Sequence, residues 1–255
     1  MSGRRMRLGV VGGAVVLGVL GLGGCAGAEV DEAAVERKAF PFRGESLVVV
    51  AEDADLTLLA ADVKDVEVSR QVDGWTVFGD GPEPVWKLEG GRLTLKVECD
   101  GLVSNCASRH EVRVPRGVAV SVEGDNGDVT AEGFRAGLTV ASDNGEVTVR
   151  DAGGAVEARS ENGDVRIEGG TSKRVVAGSA NGELLLALGA VPDSVEAVNA
   201  NGDVVVELPG GSTRYAVDAG SGNGEVKVGV PTDGDSRHTV RARSENGEVS
   251  VRGAN

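Results

Sequence analysis

One phrase recurs through the second half of the chain at near-constant spacing, and it restricts the fold more than any other feature. It reads Asn126-Gly127-Asp128-Val129, Asn144-Gly145-Glu146-Val147, Asn162-Gly163-Asp164-Val165 and Asn181-Gly182-Glu183-Leu184. Asn201-Gly202-Asp203-Val204, Asn223-Gly224-Glu225-Val226 and Asn246-Gly247-Glu248-Val249 complete the series. The steps from Asn to Asn are 18, 18, 19, 20, 22 and 23 residues. Repetition at this period belongs to solenoids, propellers and other repeat arrays.

The columns around the phrase define its local structure. Six positions before each Asn stand Val120, Leu138, Val156, Val175, Val195, Val217 and Val240, and four before it the residue is Val or Ala. Two before it the residue is small or polar, as in Ser142, Ser160, Ser179, Asn199 and Ser244. Apolar residues return three and five positions after the Asn. Period-two alternation on both sides of a turn predicts two half-buried strands per repeat. Asn-Gly suits the turn, because Gly adopts positive φ without a Cβ clash.

Two arrangements satisfy the alternation. An antiparallel meander or propeller would close each Asn-Gly as a two-residue hairpin. A β-solenoid with coils of about 20 residues would stack equivalent residues at the inter-strand spacing. Like residues recurring column by column favour the solenoid. The lengthening loops at 189–194, 209–213 and 231–237 agree, since insertions then fall on one edge.

The ends carry a different signal. Arg4, Arg5 and Arg7 precede an apolar run that closes in Leu22-Gly23-Gly24-Cys25. A basic start, a short apolar core and small residues at the end describe an export signal. The expected plan is a signal over 1–24, a lipidated tether over 25–39 and one domain over 40–255. Within that domain, 40–117 is irregular and 118–252 carries the regular repeats. Leu47, Val49, Ala51, Asp53 and Leu56 repeat the offsets with Asp53 in the Asn position, which reads as a worn terminal coil. The stretch 71–91, with Trp75, Phe78, Trp86 and several Gly and Pro residues, reads as a loop. Its tryptophans either cover the end of the stack or offer a flat binding surface.

The formal charge is −14, and loss of the signal arginines would take it to −17. That balance opposes nucleic-acid binding, which needs cations against phosphate. It also opposes adsorption to anionic lipid. After Cys25 the cysteines are Cys99 and Cys106, and outside the cytoplasm this pair reads as a disulfide.

Leu22-Gly23-Gly24-Cys25 resembles a bacterial lipobox, which implies diacylglycerol on the Cys25 thiol and a membrane-anchored protein outside the cytoplasm. With the ladder of Ser-x-Asn-Gly-Asp/Glu-Val units, the chain resembles the bacterial putative-adhesin family over residues 40–251. The resemblance implies a right-handed β-helix-like solenoid and no catalytic residues. The function expected is a non-enzymatic binding or scaffold module whose partner is an envelope polymer or a membrane protein. An accessory role beside a membrane sensory or stress-response system is the alternative within the same resemblance.

The chemistry of the chain fits that expectation. No Gly-rich segment ends in Gly-Lys-Ser/Thr, no Ser-His-Asp spacing stands out, and His238 lies in a polar stretch read as surface. A solenoid carbohydrate-active enzyme would line a groove with carboxylates, but the aromatic content is only 3% and long lateral loops to wall a groove are lacking. The acids Asp128, Glu146, Asp164, Glu183, Asp203, Glu225 and Glu248 hold one position of successive repeats. Stacked, they form either a charged edge or a weak Ca²⁺ site; no cofactor is required.

Overall fold

The computed structural model describes residues 30–254. The expected export signal, Cys25 and the first part of the expected tether lie outside the described residues.

The chain forms two stacks of parallel strands facing each other across a narrow core. Each regular coil contributes one strand to each stack: β6 (Ala119–Asn126) with β7 (Val129–Glu132), β8 (Leu138–Asn144) with β9 (Val147–Arg150), and β10 (Val156–Asn162) with β11 (Val165–Gly169). The series continues through β12 (Arg174–Asn181) with β13 (Leu184–Leu188) and β14 (Ser194–Asn201) with β15 (Val204–Leu208). The last coils are β16 (Ala216–Asn223) with β17 (Val226–Gly229) and β18 (Thr239–Asn246) with β19 (Val249–Gly253). β8 pairs in parallel with β6 and β10, not with the β9 that follows its Asn-Gly turn. That pairing excludes the hairpin arrangements. The fold is a right-handed β-helix-like solenoid, the hand that parallel crossover connections take.

Register is kept residue for residue. Val140, Ala158, Ala177 and Ala197 stack in one column, as do Val147, Val165, Leu184 and Val204 in the other stack. Every one of these is essentially fully buried. Alternate residues face solvent, as the two-residue period requires.

Close packing of the turns, more than turn conformation, demands the glycine. A Cβ on Gly145, Gly163, Gly182, Gly202 or Gly247 would lie 2.0–2.2 Å from the carbonyl oxygen of the glycine one coil away. The flanking columns use that closeness. Ser160 Oγ donates to Gly145 O at 3.0 Å, Ser179 Oγ to Gly163 O at 2.9 Å and Ser244 Oγ to Gly202 O at 2.9 Å. The small polar column therefore satisfies glycine carbonyls. The asparagines form a ladder: each of Asn144, Asn162, Asn181 and Asn201 donates Nδ2–H to Oδ1 of the Asn one coil before, at 3.0–3.1 Å. Asn246 and Asn223 extend it at one end. At the other, Asn126 donates to Asp53 Oδ1 at 2.7 Å.

Spatial order departs from chain order at both ends. β18 lies between β14 and β16, and β19 between β15 and β17, so the last coil in sequence is threaded between its two predecessors. At the other end, β2 (Ser46–Ala51) and β3 (Asp55–Ala61) pair with β6 and β7 on one side. On their other side they pair with β5 (Arg92–Pro115). The Asp53 coil is thus interior, not terminal. It is covered by β5, then by β4 (Val66–Glu89), which runs antiparallel to β5, and then by β1 (Glu36–Phe40). A tether reaching residue 39 is also corrected: the chain joins the sheet at Glu36, and Gln71 Nε2 donates to Val30 O and Ala33 O before it.

Gly163 separates stacking from turn conformation, because its φ lies outside the left-handed window while its neighbours Gly145 and Gly182 lie inside it. At such a position alanine ordinarily stabilises, by roughly 0.4–1 kcal/mol through the unfolded chain. Here a Cβ would sit 2.0 Å from Gly145 O. Gly163→Ala is therefore expected to cost about 2 kcal/mol or more in urea unfolding; a stabilised variant would refute the close-packed column.

Candidate functional site

The features that could meet a partner gather on β4 and β5. Leu93 and Leu95 pair with Val49 and Ala51, and His110 and Val112 with Leu56 and Leu58. β5 is therefore a coil of the stack whose turn has been replaced by an excursion over residues 96–108. β4 makes the same excursion in reverse, and the two strands run outward together, with Val77 opposite Val103 and Gly79 opposite Gly101. The stretch 71–91 is a paired ribbon, not the loop its composition suggests. Its glycines serve inter-strand approach: a Cβ on Gly79 would lie 1.8 Å from Asp100 O, and one on Gly74 would lie 2.7 Å from Cys106 Cα.

Cys99 and Cys106 are joined by a disulfide where the ribbon leaves the stack, with their Cα atoms 6.7 Å apart. Beyond this neck several large apolar side chains are exposed. Phe78 is 87% exposed and Leu102 81%, with Val103, Val77 and Trp75 also exposed. Asp80 and Asp100 face each other across the ribbon beside this patch. The tip thus offers an apolar surface flanked by acids.

The two tryptophans have separate duties. Trp86 leans on the core with its ring edge-to-face to Phe40 at 6.5 Å, and Arg70 stacks over it at 3.8 Å. It seals the end of the solenoid, so the binding-surface expectation fails for Trp86. Trp75 lies on the ribbon beside the exposed tip. Sequence reasoning missed the exposure of Phe78 and Leu102, since single apolar residues on two different strands carry no periodicity.

Behind the ribbon, His110 occupies the column held elsewhere by Val or Leu. It is fully buried, and neither ring nitrogen has a hydrogen-bond partner. Burial, with a smaller contribution from the Arg70 guanidinium, pushes its pKa down to about 4. A cleft of about 500 Å³ nearby is lined by Arg37, Arg109, Arg113 and Gln71. Arg109 in it is ion-paired with Asp31, and Arg113 with Glu111 at 2.9 Å. His238, read as surface, is mostly covered, with Nδ1 2.7 Å from Pro192 O.

The acidic column proves to be part of the scaffold. Asp128 Oδ1 accepts from Glu146 N, Asp164 Oδ1 from Glu183 N and Asp203 Oδ1 from Glu248 N, at 2.7–2.8 Å. Arg166 bridges Glu146 and Asp164, and Lys227 bridges Glu225 and Glu248. The Thr148 hydroxyl at 2.7 Å, then the Arg166 guanidinium, hold the Glu146 carboxyl below its ordinary range. Among the described residues no group of three or more His, Cys, Asp or Glu has metal-holding geometry. Carboxylates set in a row and bonded along it do not converge on one ion as Ca²⁺ requires. Of the two readings of Asp128 to Glu248, the geometry agrees with the charged edge, here hydrogen-bonded and partly neutralised, and not with a calcium site.

His110 generates a pH prediction. Its folded pKa lies below that of the unfolded chain, so the unfolded chain takes the proton first as pH falls. Stability is full above about pH 6.5 and declines toward pH 4, by roughly 3 kcal/mol from this residue at most. His110→Leu, which matches Leu56 in the same column, should flatten that decline in urea midpoints measured from pH 7 to 4.5. An unchanged slope would remove His110 from the account.

No curated protein matches the chain. A putative adhesin from Bacteroides fragilis is similar in fold at 14% identity, with a TM-score of 0.51, covering 87% of this chain and 97% of its own. A putative cell adhesion protein from Clostridium sporogenes covers 88% of this chain and 100% of its own, at 13% identity and a TM-score of 0.38. The family model for Toastrack DUF4097 matches residues 87–252, nearly two-thirds of the chain. The chain belongs to the Toastrack DUF4097 family.

Proposed function

We propose that this protein is a non-enzymatic binding or scaffold module of the bacterial envelope, anchored through a lipid on Cys25 and engaging its partner through the ribbon tip. The observation that carries the reading is the tip itself. Large apolar side chains are exposed on a paired ribbon with a covalently closed neck. Such a patch on an otherwise acidic chain marks an interaction site. The partner it suits is a protein with an apolar socket rimmed by basic groups, which would meet Asp80 and Asp100. An anionic membrane surface suits it less, because those acids would meet lipid of the same sign. In the basic cleft Arg109 and Arg113 are engaged by Asp31 and Glu111, and the His110 side chain is buried in the core, an arrangement that favours a binding role over catalysis. The structural neighbour from Bacteroides fragilis is a putative adhesin, which supports the same reading.

The test is a pull-down from crosslinked intact cells with full-length protein, comparing wild type, Phe78→Ser/Leu102→Ser and Cys25→Ala. The double variant should keep its lipid and its melting temperature but lose most of the captured partner. Cys25→Ala should leave the membrane fraction. One stoichiometric membrane protein would favour the accessory role, and polymer-bound material would favour adhesion. Undiminished capture by the tip variant would overturn the proposed contact surface.

A further inference from the structure

The asparagine column carries a chemistry as well as a structure. An asparagine followed by glycine can close on itself, because a residue without Cβ lets its backbone nitrogen reach the asparagine Cγ. Two features of a fold suppress that closure. A glycine N–H held in a hydrogen bond gives up its proton slowly, as in hydrogen exchange. A clamped side chain cannot turn its Cγ toward the nitrogen. Asn126, Asn144, Asn162, Asn181, Asn201 and Asn246 are clamped at both ends, each donating from Nδ2 and accepting at Oδ1. After five of them the glycine N–H is engaged as well. Gly127, Gly145, Gly182, Gly202 and Gly247 donate to the asparagine carbonyl of the adjoining coil at 2.9–3.3 Å. Asn162 is the intermediate case: Gly163 N–H has no acceptor among the described residues, but the side chain is held by Asn144, Asp143 O and Asn181.

Asn223-Gly224 lacks both protections. Its coil is the last of the stack, since β16 pairs with β18 and with no further strand among the described residues. Asn223 Nδ2 donates to Asn246 Oδ1 at 2.8 Å. Among the described residues nothing donates to Asn223 Oδ1, and nothing accepts from Gly224 N–H. Gly224 is exposed, whereas the glycines of the other Asn-Gly pairs are each partly covered. The segment lying against this end, Pro231 to Asp233, pairs with Tyr215. It therefore covers the start of β16 and leaves the turn at its far end open.

We propose that Asn223 is a modification site, the Asn-Gly pair of this chain that deamidates in the native fold. Gly224 N loses its proton to hydroxide and forms a bond to Asn223 Cγ. The bond from Cγ to Nδ2 breaks, and Nδ2 leaves as ammonia after taking a proton from water. The succinimide ring then takes up one water, and opening at either carbonyl leaves aspartate or isoaspartate. Water and its hydroxide are the only co-reactants, and nothing is oxidised or reduced. The product alters the joint at this end. A carboxylate has no proton to donate, so an acceptor comes to face Asn246 Oδ1 where a donor stood. Isoaspartate also lengthens the backbone at the turn, where Gly224 packs against Gly247 O. The outermost coil is loosened, while Asn246 keeps its bond to Asn201 beneath. At the other end of the ladder the terminal position needs only an acceptor, and Asp53 already supplies it.

The test is peptide mapping by mass spectrometry on the full chain in detergent, held folded in mildly alkaline buffer. The Asn223 peptide should deamidate at least about tenfold faster than the peptides of the other Asn-Gly pairs, with isoaspartate among its products. In urea all the pairs should convert at comparable rates, because the fold and not the local sequence separates them. Hydrogen exchange of the aged protein should quicken within 216–229 and stay unchanged across β8 to β15. No variant is needed, so the comparison does not depend on a substituted chain folding. Equal rates in the folded chain would overturn the proposal. So would Asn162 or another ladder residue converting first, or an Asn223 that stays intact while the unfolded chain reacts.

Discussion

Everything in this molecule depends on the contact between one glycine and the next along the stack. Where a turn must pass within reach of the turn below, any side chain at that position meets a carbonyl oxygen at about 2 Å. Glycine removes the obstacle, and the neighbouring columns then complete the joint. Serine hydroxyls take the glycine carbonyls, asparagine amides link coil to coil, and aspartates take the next coil's backbone amide. Each bond is modest in isolation, typically about 1 kcal/mol net. Repeated in register, they fix the alignment of strands that would otherwise slip, and a one-residue slip would turn every buried valine to solvent.

The stack then works as a rigid frame on which irregular parts can be held. β5 keeps its place in both columns while its turn is replaced by a ribbon that leaves the frame at residue 96 and returns before His110. The disulfide closes the ribbon where it departs, so the exposed tip is positioned by the frame. The cost of this arrangement is visible beside it, where a histidine without hydrogen-bond partners sits in an apolar column.

Much of the regular fold is legible in the residues because its cause is local and repeated. Val120 and its column mates, Ser160 and its mates, and the Asn-Gly pairs each occupy the same environment, so composition reports position directly. Asp53 is legible for the same reason, as the acceptor that starts the asparagine ladder. The order of the coils is not legible. Nothing in the β18 phrase Ser244-x-Asn246-Gly247 distinguishes a coil at the end of the stack from one threaded inside it, because both make the same contacts below. The ribbon was hidden by its composition: Gly74, Gly79 and Gly81 look like loop residues, yet they let paired strands approach closely. Of the candidate site, Trp75 was legible as an exposed aromatic, while Phe78 and Leu102 act through exposure that only the fold reveals.

The central claim is that identical columns stack in register with the last coil threaded between its predecessors. Cysteine pairs test it directly, because the two possible orders bring different residues together. In the threaded order Glu196 lies beside Arg241, with their side chains 3.6 Å apart, and Asp218 lies one coil further on. Glu196→Cys/Arg241→Cys should form a disulfide in the folded chain, and Glu196→Cys/Asp218→Cys should not. The reverse result would show a stack laid down in sequence order and would contradict the account.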